Sequence, residues 1–259
     1  MGTYSSATRQ GAYEPFELQV ARNQVDGHKT LFKFGINGDV GTSVETVWAQ
    51  GGTYVYPASA TVMKISSSSA DDTSAGTGAR TIAIFGLDAN YNEISESVLL
   101  DGETAVNTGN SYLRISRMYV TTAGSGATAV GTIYAGTGTV TSGVPANIYG
   151  MVAIGANQTQ MAFWTVPAGY TLYLMGVFYT SGNATANTWT NFQMNQRPLG
   201  GVFRQQTSAR VAGNGDFILD LHTPIVFAEK TDIEIRAIAS AGASNVSAEF
   251  EGIYIKNPD

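Results

Sequence analysis

There is no cysteine anywhere in the 259 residues, which excludes disulfides, thiolate metal sites and cysteine nucleophiles in any compartment. Charge is nearly as scarce. Asp, Glu, Lys and Arg together make up 13% of the chain, about half the usual share of a soluble domain. The polar surface must therefore come from Thr, Ser, Asn and Gln. Exposed helix faces lean on Glu, Lys and Arg, so a chain this poor in them is expected to be poor in helix. The charges present sum to −6, which argues against phosphate-backbone binding, and nucleic acid is not an expected partner. Long apolar runs are missing too. The longest, Tyr170 to Phe178, falls far short of the roughly 20 residues a membrane helix needs, and no membrane partner is expected. The opening "MGTYSSATRQ" has no apolar stretch of the kind a secretion signal carries. Gly2 and Ser6 match the myristoylation pattern, but two small residues suffice for that match, and it is read as chance.

Catalytic signatures are also wanting. The patterns G-x-S-x-G, H-E-x-x-H and G-x-x-x-x-G-K-[ST] do not occur. The two histidines, His28 and His222, stand far apart and without supporting motifs. "AGTGAR" at 75–80 invites a phosphate-loop reading, but strand sequence follows where a helix N-terminus would be needed. No enzyme activity and no cofactor are expected.

What remains is turn and strand. Hydrophobic residues make up 43% of the chain and glycine contributes 30 residues. Segments such as "RTIAIFGL", "EISESVLL", "YLRISRMYVTT" and "DIEIRAIA" alternate apolar and polar residues or are short apolar runs between turn residues. In the last of these, Asp232, Glu234 and Arg236 alternate with Ile233, Ile235 and Ala237, predicting a strand with one wet face and one dry. In "GYTLYLMGVFYTSG", Leu172, Leu174 and Phe178 are expected on one face and Tyr173, Met175, Val177 and Tyr179 on the other, after a tight corner at Pro167 and Gly169. The predicted fold is all-β. Residues 1–50, broken by Gly27, Gly35, Gly38 and Gly41, read as an extended N-terminal arm with short strands; the alternative is an ordinary first strand of the domain that follows. Residues 51–144 read as a β-sandwich domain and 145–259 as a second, jelly-roll-like sandwich.

Four constellations carry chemistry worth weighing. Asp88, Asn90 and Asn92 have the spacing with which a calcium loop opens, but Glu93 and Leu99 stand where such a loop needs Gly and Glu. The stretch reads as a hairpin turn, with Asp88 and Glu93 a weak metal candidate and no metal expected. Glu249 and Glu251 share a strand face, which allows their carboxyls a glycosidase-like separation; same-face acids on an outer strand are usually solvated. Asp71 and Asp72 read as members of a flexible loop. Tyr179, Trp189 and Phe192 flank the polar loop "TSGNATANTWTN", an arrangement with which β-sandwich lectins stack on sugars, against the plainer reading that Trp189 is core.

The run "SSSSADDTSAGTGARTIAIFGLDANYNEISESVLLDGETAV", with "NSYLRISRMYV", "GTIYAGTGTVTSGVPANIYG", the arm "EPFELQVARNQVDGH" and the corner "FWTVPAGYTLYL", resembles structural proteins of marine tailed bacteriophages. The resemblance spans nearly the whole chain, though its phrases are turn-and-strand phrases and bring no catalytic residues. It implies a virion protein assembled in the bacterial cytoplasm. Its expected partners are the major capsid protein and copies of itself, as a homotrimer by analogy with other jelly rolls. The expected role is capsid decoration or cement, with Phe16, Leu18, Phe32 and Phe34 as arm anchors. The alternative is a tail or fibre-associated protein whose Tyr179, Trp189 and Phe192 read a host-surface glycan.

Overall fold

The computed structural model describes residues 14–183 and 188–258. It is all-β, with one short helix, α1 (Phe16–Ala21), ahead of the first strand. In chain order the strands are β1 (His28–Val40), β2 (Glu45–Thr46), β3 (Thr61–Ser67), β4 (Ala79–Leu87), β5 (Glu93–Leu99), β6 (Val106–Tyr112), β7 (Arg114–Ala123) and β8 (Ile133–Thr141). They continue as β9 (Val144–Val152), β10 (Phe163–Thr165), β11 (Tyr170–Asn183), β12 (Trp189–Arg197), β13 (Arg204–Ala212), β14 (Gly215–Phe227), β15 (Asp232–Ala239) and β16 (Ser244–Lys256). Every pairing between them is antiparallel.

Four sheets result. Two come from the first half: β6-β3-β8-β9 and β5-β4-β7. Their inward faces share a core built on Met63, Ile65, Ile82, Ile84, Tyr112, Met118 and Ile133, all fully buried. The other two are β1-β16-β11-β14 and β10-β15-β12-β13, with β2 also on β15. They close over a larger core that includes Leu172, Leu174, Tyr179, Phe192, Phe227, Ile233, Ile235 and Phe250. A third cluster, Trp48, Tyr54, Met161 and Phe163, fills the space where the halves meet.

The segment expected to be a docking arm of short strands is, from His28 to Val40, a single 13-residue strand. It pairs with the chain's own last strand, His28 opposite Ile255 and Asn37 opposite Val246. Neither expectation anticipated that placement, because pairing across more than 200 positions leaves no local signal. The glycines that suggested a broken arm have another cause. A Cβ at Gly35 would lie 2.4 Å from the Val47 carbonyl oxygen and 2.3 Å from the Ala162 amide nitrogen. Gly35 is a mid-strand glycine because two other backbones cross against it.

Strict alternation also fails within β11. The β11 register shifts between Leu174 and Gly176 on both neighbouring strands. Such a bulge swaps the faces of everything beyond it. Leu172, Leu174, Val177 and Tyr179 therefore all point into the core, while Phe178 points out beside Glu249 and Ile218.

Candidate functional site

Three places concentrate chemistry: a buried ion network between the two halves, the outward face of the β1-β16-β11-β14 sheet, and a cleft where β1 meets β7.

The ion network lies on the strand predicted to have one wet face. Asp232, Glu234 and their apolar neighbours on β15 are all buried, so that strand has two dry faces. The misreading is instructive, because a charge inside the molecule looks in sequence like a charge in water. Asp232 accepts Arg114 Nε at 2.8 Å and Nη2 at 3.1 Å, a two-pronged pair. It also accepts Arg197 Nη2 at 2.6 Å and Thr165 Oγ1 at 2.6 Å. Glu234 is held by Arg236 Nε at 2.9 Å and by the Thr46 hydroxyl at 2.5 Å. The planar guanidinium groups of Arg114 and Arg197 lie over the Tyr56 ring at 4.9 and 4.5 Å, where a cation gains from the ring's negative face. Desolvation works against the charge of Arg114, but bonding to Asp232 outweighs it and raises the pKa. Burial pushes the Tyr54 and Tyr56 hydroxyls far above the usual phenol range, and both stay neutral. Arg114 belongs to β7 and Asp232 to β15, so this pair ties one half of the molecule to the other.

The outward face of the second-half sheet carries uncovered apolar side chains on paired strands. Phe32 opposes Glu251, which opposes Gly176, which opposes Asp220; in the next row Phe34, Glu249, Phe178 and Ile218 follow one another across the four strands. Phe32 and Ile218 are each 60% exposed. Because Gly176 has no side chain, a shallow cleft of about 210 Å³ opens between Phe32, Phe178, Asp220 and Glu251.

The third place is larger, a cleft of about 570 Å³ lined by Thr30, Phe34, Phe85, Glu93, Arg117, Tyr119, Trp164 and Tyr254, with Lys33 in its wall. Lys33 sits on the inner face of β1 and donates to the Ser116 carbonyl at 2.5 Å. Burial, with Arg117 adding a like charge, lowers its pKa from 10.5 to about 7.

The residues singled out from sequence are scattered over this frame. Phe16 and Leu18 lie on α1, roughly half exposed, with Phe16 edge-on to His28 at 5.7 Å. Phe32 and Phe34 pack together at 6.2 Å on the outward sheet face. Tyr179 and Phe192 are fully buried and stacked on each other at 4.7 Å, so neither has a ring face to offer a sugar. Trp189 is half-buried beneath Arg210, whose guanidinium is 4.0 Å from the ring. Residues 184–187 of the polar loop lie outside the described residues.

Asp88 is a turn residue. Its Oδ1 accepts the amides of Asn90 and Asn92, and Oδ2 accepts the Asn92 side chain, which fixes the β4–β5 hairpin. Glu93 points elsewhere, to Lys29 at 2.5 Å and the Tyr254 hydroxyl at 3.1 Å. Glu249 and Glu251 point outward on β16 with Phe250 buried between them. His28 bonds the Asp26 carbonyl, and His222 is exposed on β14.

Asp72, expected in a flexible loop, is fully buried instead. Its carboxylate accepts the amides of Ala79, Val130 and Gly131 at 2.7, 3.0 and 2.9 Å, together with the Ser67 hydroxyl at 2.6 Å. A carboxylate that binds several amides can anchor loops carrying too little apolar surface to pack. Sequence reasoning missed this residue, Lys33 and the Arg114–Asp232 pair, each of which takes its role from partners distant in the chain.

No known protein family matches the sequence, and no curated protein is similar to it. Among solved structures, the chain is similar to that of infectious bursal disease virus, Gx strain, at 10% identity and a TM-score of 0.25, over 90% of this chain and 73% of that one. The VP2 subviral particle of the same virus gives 10% identity and a TM-score of 0.22, over 89% and 72%.

Proposed function

We propose that this protein is a non-enzymatic structural component of a bacteriophage virion, a decoration or cement protein that stabilises the head by contacts with neighbouring capsid subunits. In this reading the two halves are β-sandwich domains, the second jelly-roll-like, locked together by the Arg114–Asp232 pair. The observation that carries it is the outward face of the β1-β16-β11-β14 sheet, where Phe32 and Ile218 stand exposed beside the half-buried Phe178 on hydrogen-bonded strands. Contiguous apolar surface of that kind marks an interaction site. The acids among those rings, Asp220, Glu249 and Glu251, favour a partner surface bearing Lys or Arg over a second copy of the same face.

The expected homotrimer would then form through other surfaces, and of the four proposed anchors Phe32 and Phe34 are the ones that sit on this face. The resemblance of the chain's strand phrases to those of phage structural proteins supports a virion component more than a position on the virion. The test is retention on particles. Virions carrying Phe32→Asp are expected to lose the protein on washing while the isolated protein keeps its unfolding temperature. Full retention by that variant would remove the sheet face from the account. The tail-associated, glycan-reading alternative loses two of its three residues to the core, Tyr179 and Phe192.

A further inference from the structure

The cleft between β1 and β7 holds two cations and no carboxylate free to balance them. Lys33, only 9% exposed, spends one of its three ammonium hydrogens on the Ser116 carbonyl, and no acid among the described residues pairs with it. Arg117, close enough for its charge to act on Lys33, donates from Nη2 to the Gln158 side-chain oxygen at 2.9 Å and lies over the Tyr119 ring at 5.1 Å. A guanidinium carries five N–H donors, so most of its capacity is unused. The one acid in the cleft, Glu93, is already engaged by Lys29 and Tyr254.

A buried ammonium without a counter-ion destabilises the fold. An apolar residue at 33 would pack against the same neighbours at no such cost. That a lysine stands there fits a residue with a ligand to meet.

The rest of the cleft describes that ligand. Its volume, about 570 Å³, lies within the usual range of small-molecule sites and is far larger than a bare inorganic anion fills. Rings line it: Phe85 and Tyr119, stacked at 5.5 Å, and Trp164 and Tyr254, edge-on at 5.2 Å, while Phe34 borders it from the outward face of β1. Thr30, Ser116 and Thr159 add polar groups to the lining, the Ser116 carbonyl already accepting from Lys33 and the Thr159 hydroxyl from the Met118 amide. Ring faces for a C–H surface, polar groups for hydroxyls and a cation pair for one negative charge together match a sugar bearing a carboxylate. The geometry points to a binding site for a uronic acid residue, free or in an acidic polysaccharide, with Lys33 and Arg117 gripping the carboxylate. The cleft adjoins the proposed docking face, with Phe32 and Phe34 bordering both.

Binding an anion beside Lys33 must favour its charged form, so the ligand should carry a proton in with it above about pH 7. The other charged groups facing the cleft are Arg117 and the Lys29–Glu93 pair. The test is isothermal titration of the full-length protein with D-glucuronate, D-glucose and inorganic phosphate.

Glucuronate is expected to bind and glucose to bind at least tenfold more weakly. Arg117→Gln, an exposed change that leaves the fold intact, should weaken glucuronate at least tenfold. Affinity should fall from pH 6 to pH 9, and at pH 8 the heat should vary with buffer as protons are taken up. Absence of glucuronate binding would overturn the proposal, as would equal binding of glucose. Phosphate binding without glucuronate would overturn the sugar assignment, and affinity indifferent to Arg117→Gln would overturn the cation grip.

Discussion

Replacing Asp232 with Ala tests whether the two halves are held by the buried ion network or merely rest on each other. The carboxylate is 3% exposed and serves two arginines and a threonine hydroxyl. Arg114, 7% exposed, pairs with no second acid among the described residues, although its Nη1 keeps the Pro57 and Leu113 carbonyls. Removing one partner of a buried pair strands the other, at a cost of about 3–5 kcal/mol. Arg197 is a quarter exposed and recovers water, so its loss adds little. Against a total stability of roughly 5–15 kcal/mol, such a cost is large. For a chain of this size each kcal/mol moves the midpoint by about 2–4 °C, which sets the expected fall near 10 °C in calorimetry.

The shape of the transition is the sharper readout. The unaltered protein is expected to unfold in one transition with equal calorimetric and van't Hoff enthalpies. Asp232→Ala should separate it into two, because the halves keep their own cores. Arg114→Met is expected to cost less than Asp232→Ala, since Asp232 keeps Arg197 and Thr165. A loss below about 1 kcal/mol with a single transition preserved would refute the network as the joint.

Other substitutions probe separate pieces of the structure. Lys33→Met should stabilise the protein, and the sign of its pH dependence follows from a folded-state pKa lowered from 10.5 to about 7. The penalty is full below pH 7 and disappears as pH rises toward 10.5. The gain in thermal midpoint should therefore be largest near pH 6 and shrink by pH 9.5; a gain independent of pH would contradict a charged, buried Lys33. Asp72→Ala leaves three amides without their acceptor. It should cost about 3 kcal/mol or more, measured by urea unfolding, and raise amide exchange around residues 72–79. Gly35→Ala drives a methyl into the Val47 and Ala162 backbones and should destabilise by at least about 1–3 kcal/mol; a neutral result would mean those backbones separate freely.

The all-β character was legible because strand periodicity and turn chemistry are local. The Asp88 turn was readable for the same reason, as its bonds close within five residues. Other features were hidden by causes that leave no local trace. One unpaired residue at Met175 reverses which side chains of β11 reach the core, and no composition announces a bulge. Asp232, Glu234 and Asp72 look like surface acids because the sequence shows a charge but not its partners. Gly35 looked like a strand breaker because the backbones crossing it come from residues 47 and 162. Phe32 and Phe34 were expected as anchors of an extended arm; the sheet face they share with Phe178 and Ile218, and its acids, emerge only once β16, β11 and β14 line up beside β1.

The most direct measurement of the central proposal is the copy number of this protein in purified, washed virions, by quantitative mass spectrometry against the major capsid subunit. A decoration role predicts a number equal to that of the capsid subunit or a fixed simple fraction of it. A few dozen copies or fewer would contradict a place on the shell and move the protein to the tail; its absence from washed particles would contradict a virion role altogether.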